Sequence, residues 1–365
     1  MTRLTRRTPR IGVLYCLAAV VAACGGPGDE GGPGDEAGPG DEGRNASAGG
    51  EARAVEPVND LPNPYERLEP WAELPPGAVQ WGQVTGVEQG PDGHLYVMHR
   101  CFENSCAGRP EDPIVKYDMS GRALASWGAG LFNYPHGFHI DYEGNVWATD
   151  ARGNGELGHR VFKFSSEGEL LLTLGQAGVA GLGPDVFNQP TDVLVLPGGD
   201  VLVTEGHGEG NDRVVRFSPA GDSLDAWGGP GSGPGQFSTP HAIARDSQGR
   251  IFIGDRANNR IQIFLEDGTF LEEWKQFSRP SGIFIDDDDT IYVADSESWG
   301  PNNPGWKKGI RVGSARDGSV SYFIEDIEST TIEHSGAEAV GVDSEGNVYG
   351  GVVRRRMLEK HVRMR

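Results

Sequence analysis

The chain has 365 residues, of which 53 are Asp or Glu and 32 are Lys or Arg, so its formal charge is -21 at pH 7. This excess of negative charge excludes a surface built to bind nucleic acid, because the nucleic-acid backbone is itself a polyanion. Only four cysteines are present.

The first 23 residues are typical of a signal peptide. The basic residues Arg3, Arg6, Arg7 and Arg10 precede an uncharged apolar run at 11–23. That run is shorter than the roughly 20 apolar residues that a membrane-spanning helix needs. It ends in Val-Ala-Ala-Cys at 21–24, which resembles the lipobox of bacterial lipoproteins. We therefore expect lipidation of Cys24 and anchoring to the periplasmic or outer face of the cell envelope; an ordinary secretory peptide is the alternative.

A polar segment follows Cys24 and continues to about Asp60. Its first part repeats Gly-Gly-Pro-Gly-Asp-Glu nearly three times. Such a composition buries too little apolar surface to offset the entropy lost on ordering. We predict that residues 24–60 form a disordered tether that holds the folded part on the order of tens of Å from the membrane.

Cys101 and Cys106 are the two cysteines that remain beyond Cys24. In an oxidising compartment such a close pair is expected to form a small loop-closing disulfide. A metal site is the weaker alternative, because there is no second cysteine pair to complete four ligands.

One sequence unit recurs six times within residues 61–365, each with an alternating apolar stretch, an Asp/Gly-rich turn and a second apolar strand. The units begin near Val84, Pro135, Pro190, Pro240, Pro280 and Ala337. Further strands such as 159–164, 213–217 and 260–264 lie between them. Four short strands in each unit predict an all-β, six-bladed β-propeller with few helices. The alternative fold, two stacked β-sandwiches, would not explain why the same sequence unit recurs at each step.

The first strand of each propeller blade lines the central channel, so residues at equivalent positions converge there. In five successive units the position after the strand's first residue is His136, Thr191, His241, Ser281 and Glu338. Two imidazoles and a carboxylate from alternate blades can hold zinc and leave one coordination site for water or substrate. We therefore predict a zinc site at His136, His241 and Glu338, although an isolated histidine is more often structural.

Several phrases resemble NHL repeats and, in their order and spacing, peptidylglycine alpha-amidating lyases. They are Gly82-Gln83-Val84-Thr85-Gly86-Val87, His99-Arg100, Tyr134-Pro135-His136-Gly137, Gln189-Pro190-Thr191-Asp192-Val193, Gly235 to His241, and Asp255-Arg256. The resemblance covers roughly residues 82–274 and is weaker towards the C-terminus. That family cleaves peptidyl-alpha-hydroxyglycine into a peptide amide and glyoxylate. It does so on a six-bladed propeller with zinc held by three histidines and a structural calcium.

The resemblance implies roles for individual residues. By position, His136 and His241 match two of the family's zinc ligands. Arg100 and Arg256 match arginines associated with substrate binding and catalysis. A guanidinium suits this role because it is permanently charged and can hold a carboxylate through two parallel hydrogen bonds.

Three positions depart from the family pattern. Glu338 occupies the place of the third zinc histidine, and Ala339 the place of an aspartate that binds calcium. The backbone carbonyls of Val87 and Phe138 still match the other calcium ligands. His207 occupies the place of a catalytic tyrosine. Its imidazole could be the base, since it titrates near neutral pH; it could also be a third metal ligand or only a loop residue.

Two functions are consistent with these residues. The first is a metal-dependent carbon–nitrogen lyase of the amidating type, with Arg100, His207 and Arg256 as catalytic residues. Zinc is its expected cofactor, and calcium is a second candidate ion. The second is a cell-surface propeller that binds a ligand without turnover, which the loss of the family's tyrosine favours. In either case we expect a monomer that takes a small molecule or a peptide, contacts the membrane only through its lipid and binds no nucleic acid.

Overall fold

The structure, a computed structural model, describes residues 55–102, 104–208, 211–332 and 335–364. The expected signal peptide, the lipidation site at Cys24 and most of the predicted tether lie outside the described residues. Within that set, no helix is long and apolar enough to span a membrane.

The described chain folds into six four-stranded antiparallel sheets, so the all-β, six-bladed β-propeller predicted from the repeats is confirmed. Blade one contains β2 (Val84–Gln89), β3 (Leu95–His99), β4 (Ile114–Tyr117) and β5 (Ala123–Trp127). Blade two contains β6 (Pro135–Ile140), β7 (Val146–Asp150), β8 (Arg160–Phe164) and β9 (Leu170–Leu174). Blade three contains β10 (Pro190–Val195), β11 (Val201–Glu205), β12 (Arg213–Phe217) and β13 (Ser223–Gly228).

The remaining three blades repeat this order. Blade four contains β14 (Pro240–Arg245), β15 (Ile251–Asp255), β16 (Arg260–Phe264) and β17 (Phe270–Trp274), with a 3-10 turn at Arg256–Asn258. Blade five contains β18 (Gly282–Ile285), β19 (Thr290–Asp295), β20 (Gly309–Ser314) and β21 (Val320–Glu325). Blade six contains β22 (Ala337–Val342), β23 (Val348–Val352), β24 (Met357–Arg363) and, as its outermost strand, β1 (Tyr65–Leu68).

The ring is closed by β1, which pairs antiparallel with β24 so that Tyr65 lies opposite Arg363. Just before this strand, Val58 and Asn59 already contact blade five. The Arg311 Nε donates to the Val58 carbonyl at 3.2 Å, and the Lys307 amide donates to Asn59 Oδ1 at 3.0 Å. Composition alone assigns these two residues to the end of the tether.

Apolar clusters between neighbouring blades form the core, and one of them joins blade six to blade one through Tyr349 and Val97. Tryptophans on the outer strands complete the contact between blades. A Cβ added at Gly168 would lie 2.8 Å from Cγ of Trp127, and Gly168 also has a φ of +86°. Only glycine therefore fits against this ring, and the turn of blade two is held on blade one.

Candidate metal centre

The sequence-predicted zinc ligands lie at one end of the central channel. His136, His241 and Glu338 are the second residues of β6, β14 and β22, which are alternate inner strands. The ring centroids of His136 and His241 are 4.6 Å apart. The repeat register thus brings the two imidazoles together, and we call this end of the channel the histidine end.

The loops that follow the second strands also lie at the histidine end. Antiparallel pairing sets Pro135 opposite Asp150 and Pro240 opposite Asp255, so each second strand ends where its inner strand begins. The Asp150 carboxylate accepts the backbone N–H of Tyr134 at 2.6 Å, which holds the residues just before β6. Residues that directly follow a second strand are therefore presented to the histidines.

The two channel histidines are held in one tautomer. His136 Nδ1 lies 2.7 Å from the Thr191 carbonyl oxygen, and His241 Nδ1 lies 2.6 Å from the Ser281 carbonyl oxygen. A carbonyl oxygen only accepts, so each Nδ1 carries the proton and each Nε2 keeps its lone pair. Both Nε2 atoms are buried and have no hydrogen-bond partner in the part of the chain that the structure describes. This is the arrangement found for metal-binding histidines, whose second ring nitrogen donates to a carbonyl or carboxylate.

The electrostatic surroundings keep these imidazoles neutral. Burial lowers the pKa of His136 well below its usual value, and the nearby Arg100 cation lowers it further. Burial and then the Arg256 cation lower the pKa of His241 in the same way. Neutral imidazole is the form that binds a metal ion, so the residues present fit a metal centre.

His207 joins this pair from the loop after β11. Its ring centroid is 4.5 Å from that of His136 and 5.4 Å from that of His241. One nitrogen of each of the three residues lies within 4.8 Å of the other two. Arg152 Nη2 approaches His207 Nδ1 at 3.3 Å. Unlike the channel pair, His207 therefore faces a hydrogen-bond donor with its Nδ1.

Glu338 approaches the same two channel histidines. Its Oε1 is 3.6 Å from His136 Nε2 and 3.9 Å from His241 Nε2. Ligands of a tetrahedral zinc, bonded at about 2.0–2.1 Å, are separated by about 3.3 Å. Glu338 is thus close to ligand spacing already. Its Oε1 also accepts from Arg100 Nη2 at 3.2 Å, so this carboxylate is both a candidate ligand and a counter-ion.

The two arginines expected at the site differ in how fully they are engaged. Arg100 is 2% exposed and donates from Nε to the Pro135 carbonyl and from Nη1 to Gln83, in addition to its pair with Glu338. Within the described residues, Arg256 has a looser ion pair with Glu297 at 3.7 Å, and its buried Nε has no partner. Arg256 therefore has the greater unused capacity to donate.

Sequence reasoning missed Tyr134 and Arg152. The Tyr134 ring is 6% exposed and contacts two guanidiniums, with Cζ of Arg100 3.9 Å and Cζ of Arg152 4.4 Å from its centroid. Tyr134 is quoted in the family-like phrase before His136, yet its neighbours come from two loops. Arg152 lies in a loop without repeat symmetry, so no sequence signal marks it.

The expected calcium ligands lie farther along the channel. Val87 and Phe138 line the same cavity of about 480 Å³, which also reaches His136 and His241. Ala339 offers no carboxylate at the family's calcium position. The nearby Asp192 carboxylate accepts backbone N–H groups of Phe138 at 3.3 Å, Val193 at 2.9 Å and Ile243 at 3.0 Å. The carboxylate beside Phe138 is therefore already used by the backbone of three blades.

The structure joins Cys101 and Cys106 in a disulfide within the loop after β3. Both residues are buried. Their sulfur atoms are therefore not arranged as a metal site, and the bridge closes the loop that begins directly after Arg100.

Known proteins resemble this chain in sequence. An NHL repeat family model matches residues 237–264. The peptidyl-glycine alpha-amidating monooxygenase of Mus musculus is 37% identical over 240 residues, which are 57% of this chain and 24% of the mouse protein. The peptidyl-alpha-hydroxyglycine alpha-amidating lyase 1 of Drosophila melanogaster is 30% identical over 243 residues, 59% of this chain and 43% of the fly protein. The NHL repeat-containing protein 3 of Homo sapiens is 37% identical over 169 residues, 44% of this chain and 48% of the human protein.

Solved propellers share the fold at low identity. A streptogramin B lyase matches with a TM-score of 0.52 and 14% identity, covering 82% of this chain and 97% of that chain. A gluconolactonase from Xanthomonas campestris matches with a TM-score of 0.52 and 14% identity, covering 77% of this chain and 86% of that chain. At this low identity, the solved structures show only that the fold is shared. The sequence matches span about a quarter to a half of the relatives' length, and they confirm the resemblance to amidating lyases and NHL-repeat propellers.

Proposed function

We propose that this chain is a zinc-dependent lyase of the amidating type, which breaks the carbon–nitrogen bond of an N-acylated alpha-hydroxyglycine. The products are an amide and glyoxylate. The observation that carries the proposal is the pair of buried, unpartnered Nε2 atoms on His136 and His241, each with its Nδ1 held by a backbone carbonyl. Other buried nitrogens of the described residues, such as His139 Nε2, also have no partner, but the rings of His136 and His241 are only 4.6 Å apart, so their two Nε2 atoms can share one ligand.

His136, His241 and Glu338 would hold the zinc ion. When bound, the ion would act as a Lewis acid that makes the substrate hydroxyl easier to deprotonate. Glu338 is the better third ligand than His207, because Arg152 donates to His207 Nδ1. The neutral His207 imidazole then carries its proton on Nε2, so neither ring nitrogen offers a free lone pair.

Arg100 and Arg256 would bind the substrate carboxylate. Arg100 is rigidly placed by its own hydrogen bonds, whereas Arg256 has an unused buried Nε donor. Together they fix the alpha carbon beside the histidines, and such positioning accounts for a large part of catalysis in many enzymes.

His207 would assist the departing amide. Burial is the main cause that lowers the pKa of His207 well below its usual value, so the ring is neutral at pH 7. Because Arg152 donates to its Nδ1, the ring can donate a hydrogen bond from Nε2 to the leaving amide. The hydroxyl proton moves to the amide nitrogen as the carbon–nitrogen bond breaks and the carbon–oxygen double bond of glyoxylate forms. The proton count balances, and no further reactant is required.

A purified, zinc-loaded protein incubated with an N-acyl-alpha-hydroxyglycine tests the proposal. We expect glyoxylate to be released in step with the amide, and chelation to stop the release. If glyoxylate forms no faster than in the buffer control at any zinc concentration, the lyase function is wrong.

The second candidate is a non-catalytic binding propeller. His207 in place of the family's tyrosine favours it, as does the similarity to an NHL repeat-containing protein whose name states no activity. The same assay separates the two, because a binding propeller holds the hydroxyglycine without releasing glyoxylate.

We also propose export and lipid anchoring at Cys24, which rest on the N-terminal sequence alone. In a bacterial host that expresses the full chain, the wild type should incorporate a labelled fatty acid and sediment with membranes. Cys24→Ser should do neither; a soluble, unlabelled wild type would contradict the anchor.

A further inference from the structure

Arg152 differs from the other arginines at the histidine end in having no counter-ion among the described residues. Arg100 pairs with Glu338 at 3.2 Å. Arg256 pairs with Glu297 at 3.7 Å, and Arg279 shares the same carboxylate at 3.2 Å. Among the described residues, the side-chain contacts of Arg152 are the Tyr134 ring and His207 Nδ1, and neither carries a negative charge.

The Tyr134 ring holds Arg152 in place without using up its donors. The guanidinium carbon of Arg152 lies 4.4 Å from the ring centroid, and Arg100 contacts the same ring at 3.9 Å. A guanidinium held over an aromatic ring keeps its N–H groups free at its edge. Only one of the five N–H groups of Arg152 is engaged with His207. The remaining donors are available to a ligand.

Arg152 is also close to the reacting centre. It touches His207, whose ring centroid is 4.5 Å from that of His136. The loop that carries Arg152 between β7 and β8 runs over 151–159, nine residues, whereas the equivalent loop of blade four runs over 256–259, four residues. Both loops bring an arginine to the histidine end, Arg152 from blade two and Arg256 from blade four.

We infer that Arg152, held on the Tyr134 ring, forms a second anion subsite, so that the preferred substrate carries a carboxylate on its acyl part as well as on its hydroxyglycine part. The inference rests on the proposed lyase function and specifies its substrate class. One carboxylate is bound by Arg100 and Arg256, and the second is bound by Arg152, which has no acidic partner among the described residues. Planar guanidinium and carboxylate groups pair through charge-assisted hydrogen bonds, which are stronger than neutral ones.

Two matched substrates test the inference: alpha-hydroxyglycine acylated with succinic acid, and the same compound with the terminal carboxylate replaced by a primary amide. The wild type should show a kcat/KM at least about tenfold higher for the carboxylate, the effect of one charge-assisted hydrogen bond. Arg152→Met should lose that preference, because its KM should rise more for the carboxylate than for the amide; any change in kcat caused by the lost contact with His207 should be common to both substrates. Equal kcat/KM for both substrates in the wild type would overturn the inference and leave the lyase function standing.

Two further variants control for indirect effects. Arg122→Ala removes an exposed arginine paired with Asp118 on an outer turn, and should keep the wild-type preference. Tyr134→Phe keeps the ring under Arg152 and should keep the preference, whereas Tyr134→Leu should reduce it. If Arg152→Met retains the full preference, Arg152 is not the subsite.

A binding measurement keeps the inference testable if the protein has no lyase activity. N-succinylglycine and its half-amide lack the hydroxyl group and cannot react. Calorimetry on the zinc-loaded wild type should then give at least about tenfold tighter binding of the dicarboxylate, lost in Arg152→Met. Equal affinities would overturn the inference independently of turnover.

Discussion

The two ends of the central channel contain polar side chains that the fold uses in opposite ways. At the far end, Asp141, Asp246 and Asp286 follow the inner strands, and each accepts backbone N–H groups of its own turn. At the histidine end, His136 and His241 present buried Nε2 atoms to which nothing in the described chain bonds.

The difference shows which polar groups stabilise the fold and which are available for chemistry. A carboxylate that accepts the backbone N–H groups of a turn stabilises the fold. Its recurrence in several blades follows from the sequence repeat. An unpartnered buried nitrogen costs stability and is retained where another partner supplies the bond. The comparison predicts that substitutions at the histidine end alter metal binding and turnover, whereas substitutions of backbone-bound carboxylates alter folding.

The largest expected effect is that of removing either channel imidazole. His136→Ala or His241→Ala should reduce bound zinc from about one ion per chain to near zero and lower kcat/KM by about a thousandfold or more, because the metal loses one of its ligands. Elemental analysis and glyoxylate release measure the two quantities.

His139→Ala is the matched control, because His139 lies on the same strand and contacts Glu88 farther along the channel. It should retain its zinc. Loss of zinc in His139→Ala but not in His136→Ala would reverse the assignment of the two positions.

A backbone-bound carboxylate should give a large effect on stability instead. Asp192→Ala leaves three backbone N–H groups without the acceptor they have now. We expect the free energy of unfolding to fall by about 3 kcal/mol, measured by urea denaturation, with unchanged zinc content in the folded protein. Asp287→Ala, at an exposed turn position, should change it by less than about 0.5 kcal/mol. A comparable fall in the free energy of unfolding in both variants would contradict the stabilising role assigned to the hydrogen bonds of Asp192.

Glu338→Gln tests a residue that is both a candidate zinc ligand and the counter-ion of Arg100. The amide oxygen can still accept from Arg100, while the negative charge towards His136 and His241 is lost. We expect zinc affinity to fall by about 10- to 100-fold, with the free energy of unfolding of the metal-free protein changed by less than about 1 kcal/mol. Titration against a competing chelator measures the affinity; an unchanged value would make Glu338 a counter-ion only.

The smallest expected effect is a difference in pH dependence between metal-free variants. The pKa of the histidines is lowered from 6.5, so their stabilising contribution is present above pH 6.5 and is lost as the pH falls below it. Burial raises the pKa of Asp192 from 3.8 to about 7. The contribution of this residue to stability is therefore present below pH 3.8 and is lost as the pH rises through about 7.

Urea unfolding in chelator between pH 5 and pH 8 checks these opposite signs. His136→Ala with His241→Ala should flatten the loss of stability on the acid side, and Asp192→Asn the loss towards neutral pH, each by about 1 kcal/mol or more. Identical pH profiles for both variants and the wild type would contradict the assigned ionisation states.

Much of this comparison could be predicted from the sequence, because a repeat maps equivalent positions to the same height in the channel. The repeat register predicts the six blades and the shared height of His136, His241 and Glu338. The loop after β11 has no repeat register, so His207 is indicated only by the family resemblance, and its contacts with the two channel histidines could not be predicted. Nor could the repeat register show that the three N–H groups bound by Asp192 come from three different blades.

Local sequence was equally uninformative about ring closure and about Arg152. The four residues of β1 pair with β24 at the opposite end of the chain, and so short a strand has no periodic pattern of its own. The contact of Arg152 with Tyr134 depends on the path of a nine-residue loop. Contacts of this kind are set by tertiary packing and not by local propensity.

Anomalous diffraction at the zinc absorption edge, on crystals of the zinc-loaded protein, tests the central claim most directly. We predict one strong peak at the histidine end, about 2.0–2.1 Å from the Nε2 atoms of both His136 and His241. A peak elsewhere, with those two nitrogens still unbonded, would contradict the account.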